Sequence, residues 1–197
     1  MKCTVLFGSP RSAGNTAWVA GVFREELERL GAQVEWIPVY EREIKPCLGC
    51  MVCQDRLEEL GCVQRDDFAD VFAAMADSDL ILFATPIYAW YCTAPMKALL
   101  DRAIYAGNKN YGRQRGSAML AGKAAATLVT CGYPAEKGAD VWEEGLKRVC
   151  KHSKMKYMGM SCCRDMGSAV PFASAEKEAQ VRAFARTVYQ SLTAEEL

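Results

Sequence analysis
Short apolar runs alternate along the chain with longer segments whose apolar positions recur every three or four residues. The first pattern suits strands buried in a sheet, and the second suits amphipathic helices. "CTVLFGS" (3–9) predicts a first strand, and a helix is expected from about Asn15 to Leu30, stopping at Gly31. "AQVEWIPV" predicts the second strand. "DDFADVFAAMADS" opens with Asp66 and Asp67, carboxylates suited to a helix start, and continues with apolar residues at helical spacing. "DLILFATP" is the unbroken apolar run that a strand covered on both faces requires. A helix over 94–106, a Gly-rich basic loop, a fourth strand in "AAATLVTC", a helix over 136–152, a fifth strand in "KYMGMSCC" and a last helix over 175–193 complete the order.

Five β–α units with parallel-type strands imply an α/β fold: a doubly wound sheet with helices on both faces. Five strands is the flavodoxin-like count, with expected order 2-1-3-4-5. The 197 residues suit one domain spanning 1–197, with a cysteine-rich loop at about 46–65. Half the residues are apolar, and 24 basic residues balance 24 acidic ones, so nothing in the charge points to nucleic acid. No run of eighteen apolar residues is present to span a membrane. The N-terminal apolar run is too short for an export signal and leads straight into Gly8-Ser9-Pro10, so a cytoplasmic, reducing location is expected. Ten cysteines there argue for free thiols or bound metal rather than a disulfide framework.

Ligands of doubly wound sheets sit beyond the carboxyl ends of the strands, at the point where the strand order reverses. The loop after the first strand reads "GSPRSAGNT". Ser9, Ser12 and Thr16 offer hydroxyls, Arg11 a guanidinium and Asn15 an amide, while Gly14 lets the backbone close tightly. The next helix begins here, so its free N–H groups and positive dipole end suit a phosphate dianion. The alternative is a polar turn with an N-cap. The loop matches neither the P-loop nor the G-x-G-x-x-G pattern, which disfavours nucleotidase and dinucleotide sites of those kinds.

"GSPRSAGNT" together with "TPIYAWYCTAPMKALLDR" resembles the flavin-phosphate and flavin-ring segments of the NAD(P)H-dependent FMN reductases. These belong to the flavodoxin-like superfamily, which also contains quinone oxidoreductases and iron–sulfur flavoproteins. The likeness runs from Lys2 to about Thr130. It implies bound FMN, with Pro86, Ile87, Tyr88, Ala89 and Trp90 forming the ring loop; "TCGYP" after the fourth strand (Thr130, Cys131, Gly132, Tyr133) is expected to complete the rim, Gly132 allowing close backbone approach. The alternative for Tyr88, Trp90 and Tyr91 is core or subunit-interface packing. Lys97, Asp101 and Arg102 match the family's helix pattern and are read as orienting that helix rather than catalysing. No protein acid or base is required, because the flavin ring carries the chemistry. His152 reads as a solvated helix end.

Cys47, Cys50 and Cys53 follow the C-x2-C-x2-C spacing in which thiolates gather on an iron–sulfur cube, with Cys62 as fourth ligand after eight residues. Zinc, which prefers two separated ligand pairs, and free or disulfide-forming thiols are the alternatives. The iron–sulfur flavoproteins resemble this chain here too, with a compact four-cysteine loop after strand two followed by an acidic pair like Asp66-Asp67. The last gap is slightly longer than theirs, and "QDRLEEL" offers an extra helical turn to fill it. The loop is expected at the same end of the sheet as the flavin, which favours a redox role. Cys3, Cys92, Cys131, Cys150, Cys162 and Cys163 read as small buried residues, with Cys92, beside the ring loop, the one exception to test. Arg102, Lys109, Arg113, Arg115 and Lys123 form a basic stretch, expected as a solvated, subunit-contacting loop or a guide for nicotinamide phosphates.

The resemblance implies a homodimer or homotetramer in which NAD(P)H reduces FMN and electrons pass to a flavin, quinone or similar acceptor. The alternative is an electron carrier that exchanges single electrons with ferredoxin-like partners through a [4Fe-4S] cluster and FMN.

Overall fold
The computed structural model describes residues 1–194, so the last three positions of the expected 1–197 domain lie outside the described residues. Five parallel strands, β1 (Lys2–Phe7), β2 (Gln33–Pro38), β3 (Leu80–Pro86), β4 (Ala124–Cys131) and β5 (Lys156–Arg164), form one sheet in the order β2-β1-β3-β4-β5. That is the flavodoxin-like order. Its helices are α1 (Asn15–Arg29), α2 (Phe68–Ala76), α3 (Ala94–Gly107), the single turn α4 (Ala135–Gly138), α5 (Asp140–His152) and α6 (Ala175–Thr193).

Alternation along the central strands builds two cores. Cys3, Val5 and Phe7 of β1, Leu80, Leu82 and Ala84 of β3, and Ala124, Ala126 and Leu128 of β4 pack with α1 and α6. Leu6, Ile81, Phe83, Ala125 and Val129 face the other way, onto α2, α3 and α5. Strands buried on both faces read as continuous apolar runs, which is why β1, β3 and β4 are the plainest in the sequence. Edge strands β2 and β5 are only partly covered. Pairing of β4 with β5 shifts register between Ala125 and Thr127, opposite Gly159, whose φ of 111° only glycine adopts freely.

The expected helix over 136–152 is divided, α4 ending at Gly138 and α5 beginning at Asp140. A Cβ at Gly138 would lie 2.3 Å from Cys131 Sγ, so the chain presses against the end of β4 here. The spare helical turn of the cysteine loop forms as a 3-10 turn over Val52–Asp55, nearer Cys53 than expected.

Helices α1 and α6 are joined through Glu26, whose side chain is 2 % exposed yet charged. It accepts from Arg29 at 2.7 Å, Arg186 at 2.9 Å and Arg182 at 3.3 Å. The Arg29 hydrogen bond, with those of Arg186 and Arg182 against the cost of desolvation, lowers its carboxyl from 4.5 to about 2. A depressed carboxyl stabilises the fold fully above pH 4.5 and loses that contribution as pH falls from about 4.5 towards about 2. Glu26→Gln should destabilise the protein by about 1–3 kcal/mol at pH 7. In thermal unfolding followed from pH 7 to pH 3, the gap between variant and wild type should narrow below pH 4.5; a constant gap contradicts the assignment.

Candidate functional site
A crevice opens where β1 and β3 send their connections to opposite faces of the sheet. Its walls carry Ser9, Arg11, Gly14, Asn15 and Thr16 after β1, Pro86, Ile87 and Tyr88 after β3, and Thr130 and Gly132 after β4. Cys131, expected in the rim after β4, lines it too, as does Asp165, which was absent from the candidates drawn from sequence. The turn after β1 is closed by the Gly14 N–H donating to Arg11 O at 3.2 Å, and the Arg11 N–H donates to Ser9 Oγ at 3.2 Å. A Cβ on Gly14 would meet Arg11 Cβ at 2.9 Å, so the turn leaves no room for a larger residue. Among the described residues no side chain caps the N-terminus of α1, which leaves its first N–H groups available to an anion.

Two candidates are engaged differently from expectation. The Thr16 hydroxyl is buried and bonded to the Thr130 hydroxyl at 2.7 Å, tying α1 to β4. Asn15 Nδ2 donates to Asp165 Oδ2 at 2.8 Å across the crevice. Ser12 lies exposed in the turn and off the crevice wall. Asp165 was missed because it follows the fifth apolar run and carries no motif of its own.

The ring loop is a tight turn. Tyr88 and Tyr91 exchange backbone hydrogen bonds of 2.9 and 3.0 Å, with Ala89 and Trp90 between them at φ of 49° and 63°. Two successive positive φ values define a primed turn normally given to Asn and Gly, and each costs an ordinary residue on the order of 1 kcal/mol. Trp90 is anchored by its Nε1–H donating to Lys137 O at 3.1 Å. Ala89 and Trp90 line a second recess, contiguous with the crevice through Ile87, Cys131 and Gly132. Tyr88 and Trp90 are 50 % and 53 % exposed, which rules out the core alternative for both. Tyr91 instead packs edge-on against buried Trp142 at 5.2 Å. Burial pushes the Cys92 thiol up to about 12, which removes it as a reactive group. Thr93 Oγ1 donates to Gly8 O at 2.7 Å, and so joins the loop after β1 to the start of α3.

Cys47, Cys50, Cys53 and Cys62 all line one pocket, closed by Arg102, Tyr105 and Ala106 of α3. Cys47 Sγ accepts from the Gly49 N–H at 3.5 Å, and Cys62 Sγ accepts from Arg102 Nη2 at 3.3 Å. Burial, partly offset by Gln54 and Lys109, raises the Cys53 thiol. Among the described residues no three acidic, histidine or cysteine side chains are drawn close enough to hold a metal ion, and all ten cysteines are free thiols. The pocket is not part of the crevice. Arg102 and Ala106 lie about 12 and 18 Å along α3 from Ala94 at 1.5 Å per residue, so the two sites are offset down the helix rather than side by side.

Arg102 and Asp66 form an ion pair of 2.6 Å with side chains 1 % and 0 % exposed. Asp66 also accepts from the Lys45 N–H at 3.0 Å and the Phe68 N–H at 3.3 Å, holding both ends of the cysteine loop. Burial opposes its charge, but the Arg102 and backbone hydrogen bonds outweigh it and hold the carboxyl below its usual range. Among the described residues Arg102 Nε has no hydrogen-bond partner. Lys109 is fully buried as well, so neither of these cations belongs to a solvated basic loop. His152 does lie exposed at the end of α5, where its Nε2 is 2.6 Å from the Tyr111 hydroxyl.

Strand order and the crevice at the carboxyl ends define a flavodoxin-like doubly wound protein. A family model described as NADPH-dependent FMN reductase matches residues 1–163, and the chain belongs to that family. It is 35% identical over 109 residues to an iron-sulfur flavoprotein of Archaeoglobus fulgidus, covering 55% of this chain and 48% of that protein. An iron-sulfur flavoprotein of Methanosarcina thermophila is 32% identical over 111 residues, 56% of each chain. The chain thus spans about half the length of the curated relatives it matches. Among solved structures, the NAD(P)H:quinone oxidoreductase from Methanothermobacter marburgensis superposes with a TM-score of 0.72 at 19% identity, over 97% of this chain and 96% of that one.

Removing one partner of the Arg102–Asp66 pair strands a buried charge. Asp66→Ala should therefore cost about 3–5 kcal/mol in urea unfolding, far more than loss of an exposed pair such as Arg148–Glu144. Equal, small effects of the two would refute the role given to Asp66.

Proposed function
We propose that this chain is an FMN-dependent oxidoreductase with NAD(P)H as electron donor and a flavin, quinone or similar small molecule as acceptor. One observation carries the reading: the uncapped start of α1 and the loops after β3 and β4 converge on a single crevice. The composition of its walls suits FMN. Arg11, Ser9, the Gly14 turn and the first N–H groups of α1, at Asn15 and Thr16, would take the phosphate, with Ser12 in the turn that sets Arg11. Asp165 and Thr130 offer oxygen acceptors to a polyol chain. Pro86, Ile87, Tyr88, Ala89, Trp90 and Gly132 would border the ring. When bound, FMN supplies the hydride and electron chemistry; the chain binds it, orients it and limits water. No protein acid or base is assigned, in keeping with the exposed, Tyr111-bonded His152.

The second reading is an electron carrier between redox proteins, with a [4Fe-4S] cluster on Cys47, Cys50, Cys53 and Cys62. It is favoured by the presence of those four cysteines in the lining of one pocket, beside a buried guanidinium that already donates to Cys62. Cationic donors around sulfur suit an anionic, thiolate-ligated group. A cluster held there supplies single-electron transfer. The names of the archaeal relatives support the same reading. Zinc on these cysteines and free thiols stay as outcomes of the metal analysis. We further propose that the chain is one domain, acts in the cytoplasm, and assembles as a homodimer or homotetramer through the exposed Tyr88, Trp90 and Tyr133 beside the crevice. Among the described residues no helix is long and apolar enough to cross a membrane.

Arg11→Ala should weaken FMN binding about tenfold, ~1.4 kcal/mol, in fluorescence titration, and unchanged affinity would refute the phosphate assignment. Mixing the flavin-loaded protein anaerobically with NADH or NADPH should bleach the flavin bands. Failure of both nicotinamides rejects the enzyme reading. Iron and sulfide analysis after anaerobic purification should find cluster iron that is lost in Cys50→Ala; flavin without iron rejects the carrier.

A further inference from the structure
The segment between Cys53 and Cys62 is held at both ends by one buried side chain. Lys109 Nζ donates to the Cys53 carbonyl at 2.9 Å and to the Leu60 carbonyl at 3.1 Å, and the residue is 0% exposed. Lys109 stands in a hairpin just beyond α3, fixed by the Asn108–Ala118 bridge and by the Gly116 N–H donating to Lys109 O at 2.7 Å.

That hairpin is shaped around the cysteine loop. A Cβ on Gly116 would lie 2.7 Å from Lys109 Cβ, and one on Gly112 would lie 2.9 Å from Gln54 O. Buried Gln54 donates to the carbonyls of Tyr105 and Asn108 and accepts from the Tyr111 N–H at 2.9 Å. The long gap before Cys62 is therefore a fixed structure whose two ends meet at the Lys109 ammonium.

Charge around the pocket is unbalanced. Arg102 is neutralised by Asp66, whereas Lys109 forms no ion pair among the described residues. Glu59 is the carboxylate near enough to act on it, but Glu59 is 63% exposed and pairs with Arg56 at 3.0 Å. A buried ammonium facing only neutral carbonyls is costly, and an apolar side chain would fill the same space more cheaply. Metal-ligating cysteines are thiolates, so a cluster on four of them brings the missing negative charge.

We propose that Lys109 is the positioning and charge-balancing residue of the cysteine pocket: it returns Cys62 to Cys47, Cys50 and Cys53 across the long gap and supplies the cation that ligated thiolates require. This rests on the reading of the pocket as a cluster cradle.

The test uses the full chain, reconstituted anaerobically with iron and sulfide, as wild type, Lys109→Gln and Lys109→Met. Removing a nearby positive charge disfavours the reduced cluster. Lys109→Gln, which keeps an N–H donor, should load like wild type but show a reduced-to-oxidised ratio about tenfold lower at fixed potential, a fall of ~59 mV in a redox titration followed by electron paramagnetic resonance. Lys109→Met, which loses the tether too, should retain less than half the iron and sulfide and surrender the rest to a chelator about tenfold faster, with FMN affinity unchanged. If Lys109→Met fails to fold, the potential of Lys109→Gln decides. A Lys109→Gln potential equal to that of wild type overturns the proposal while leaving the cradle standing. A wild-type protein that takes up no iron or sulfide overturns the cradle and the proposal together.

Discussion
The buried ion pair between Arg102 and Asp66 ties the two halves of this molecule together. Arg102 projects from the helix that begins at the ring loop, and Asp66 closes the cysteine loop and opens α2. Two charges removed from water are tolerable only when each remaining polar site is filled. Asp66 meets that condition with three donors, two of them backbone N–H groups. Arg102 fills its two terminal nitrogens with Asp66, the Lys45 carbonyl and Cys62, leaves Nε without a partner among the described residues, and lies over the Phe68 ring at 4.2 Å. One guanidinium thereby fixes where the loop leaves β2, where Cys62 returns and where α2 starts. The cation–π contact on Phe68 seats the same group against the core.

The crevice depends on a different constraint, the close approach of the loops after β1 and β3. The Gly8 N–H donates to Ala84 O at 2.8 Å, and a Cβ on Gly8 would strike Met96 at 2.7 Å. Thr93 then bonds both the Gly8 carbonyl and Thr85. With these walls locked, the primed turn at Ala89-Trp90 is the strained part of the site. Strain of that kind persists where the surroundings over-determine it, and here the Tyr88–Tyr91 bridge and the Lys137 carbonyl do so.

Local pattern carried most of the fold. Residues of β1, β3 and β4 are apolar on both faces because helices cover both, and α1 begins after a polar turn that the sequence displays openly. The crevice residues were legible for the same reason, since each follows a strand directly. Interactions across large sequence separations were not. Lys109 and Gln54 look like ordinary loop residues, and only the fold brings each against a partner on the other loop. Tyr88 and Trp90 were expected in the ring loop, with core packing as the alternative, and the primed turn that leaves both exposed has no Asn-Gly signal to announce it. Arg102 resembled a helix-orienting residue, and it is one, but its contact with Cys62 has no trace in local spacing.

Helix α3 explains why the two candidate sites are neither merged nor independent. Its first turn follows the ring loop, residues between its ninth and thirteenth wall the cysteine pocket, and the hairpin that grips Cys53 leaves its last turn. A helix is stiff over this length, so the offset between the sites is fixed by residue count rather than by loop geometry. Placing the longest gap of the cysteine motif against the far end of that helix costs nothing at the crevice. The gap is held there by Lys109 at the Cys53 and Leu60 carbonyls, away from the loops after β1 and β3.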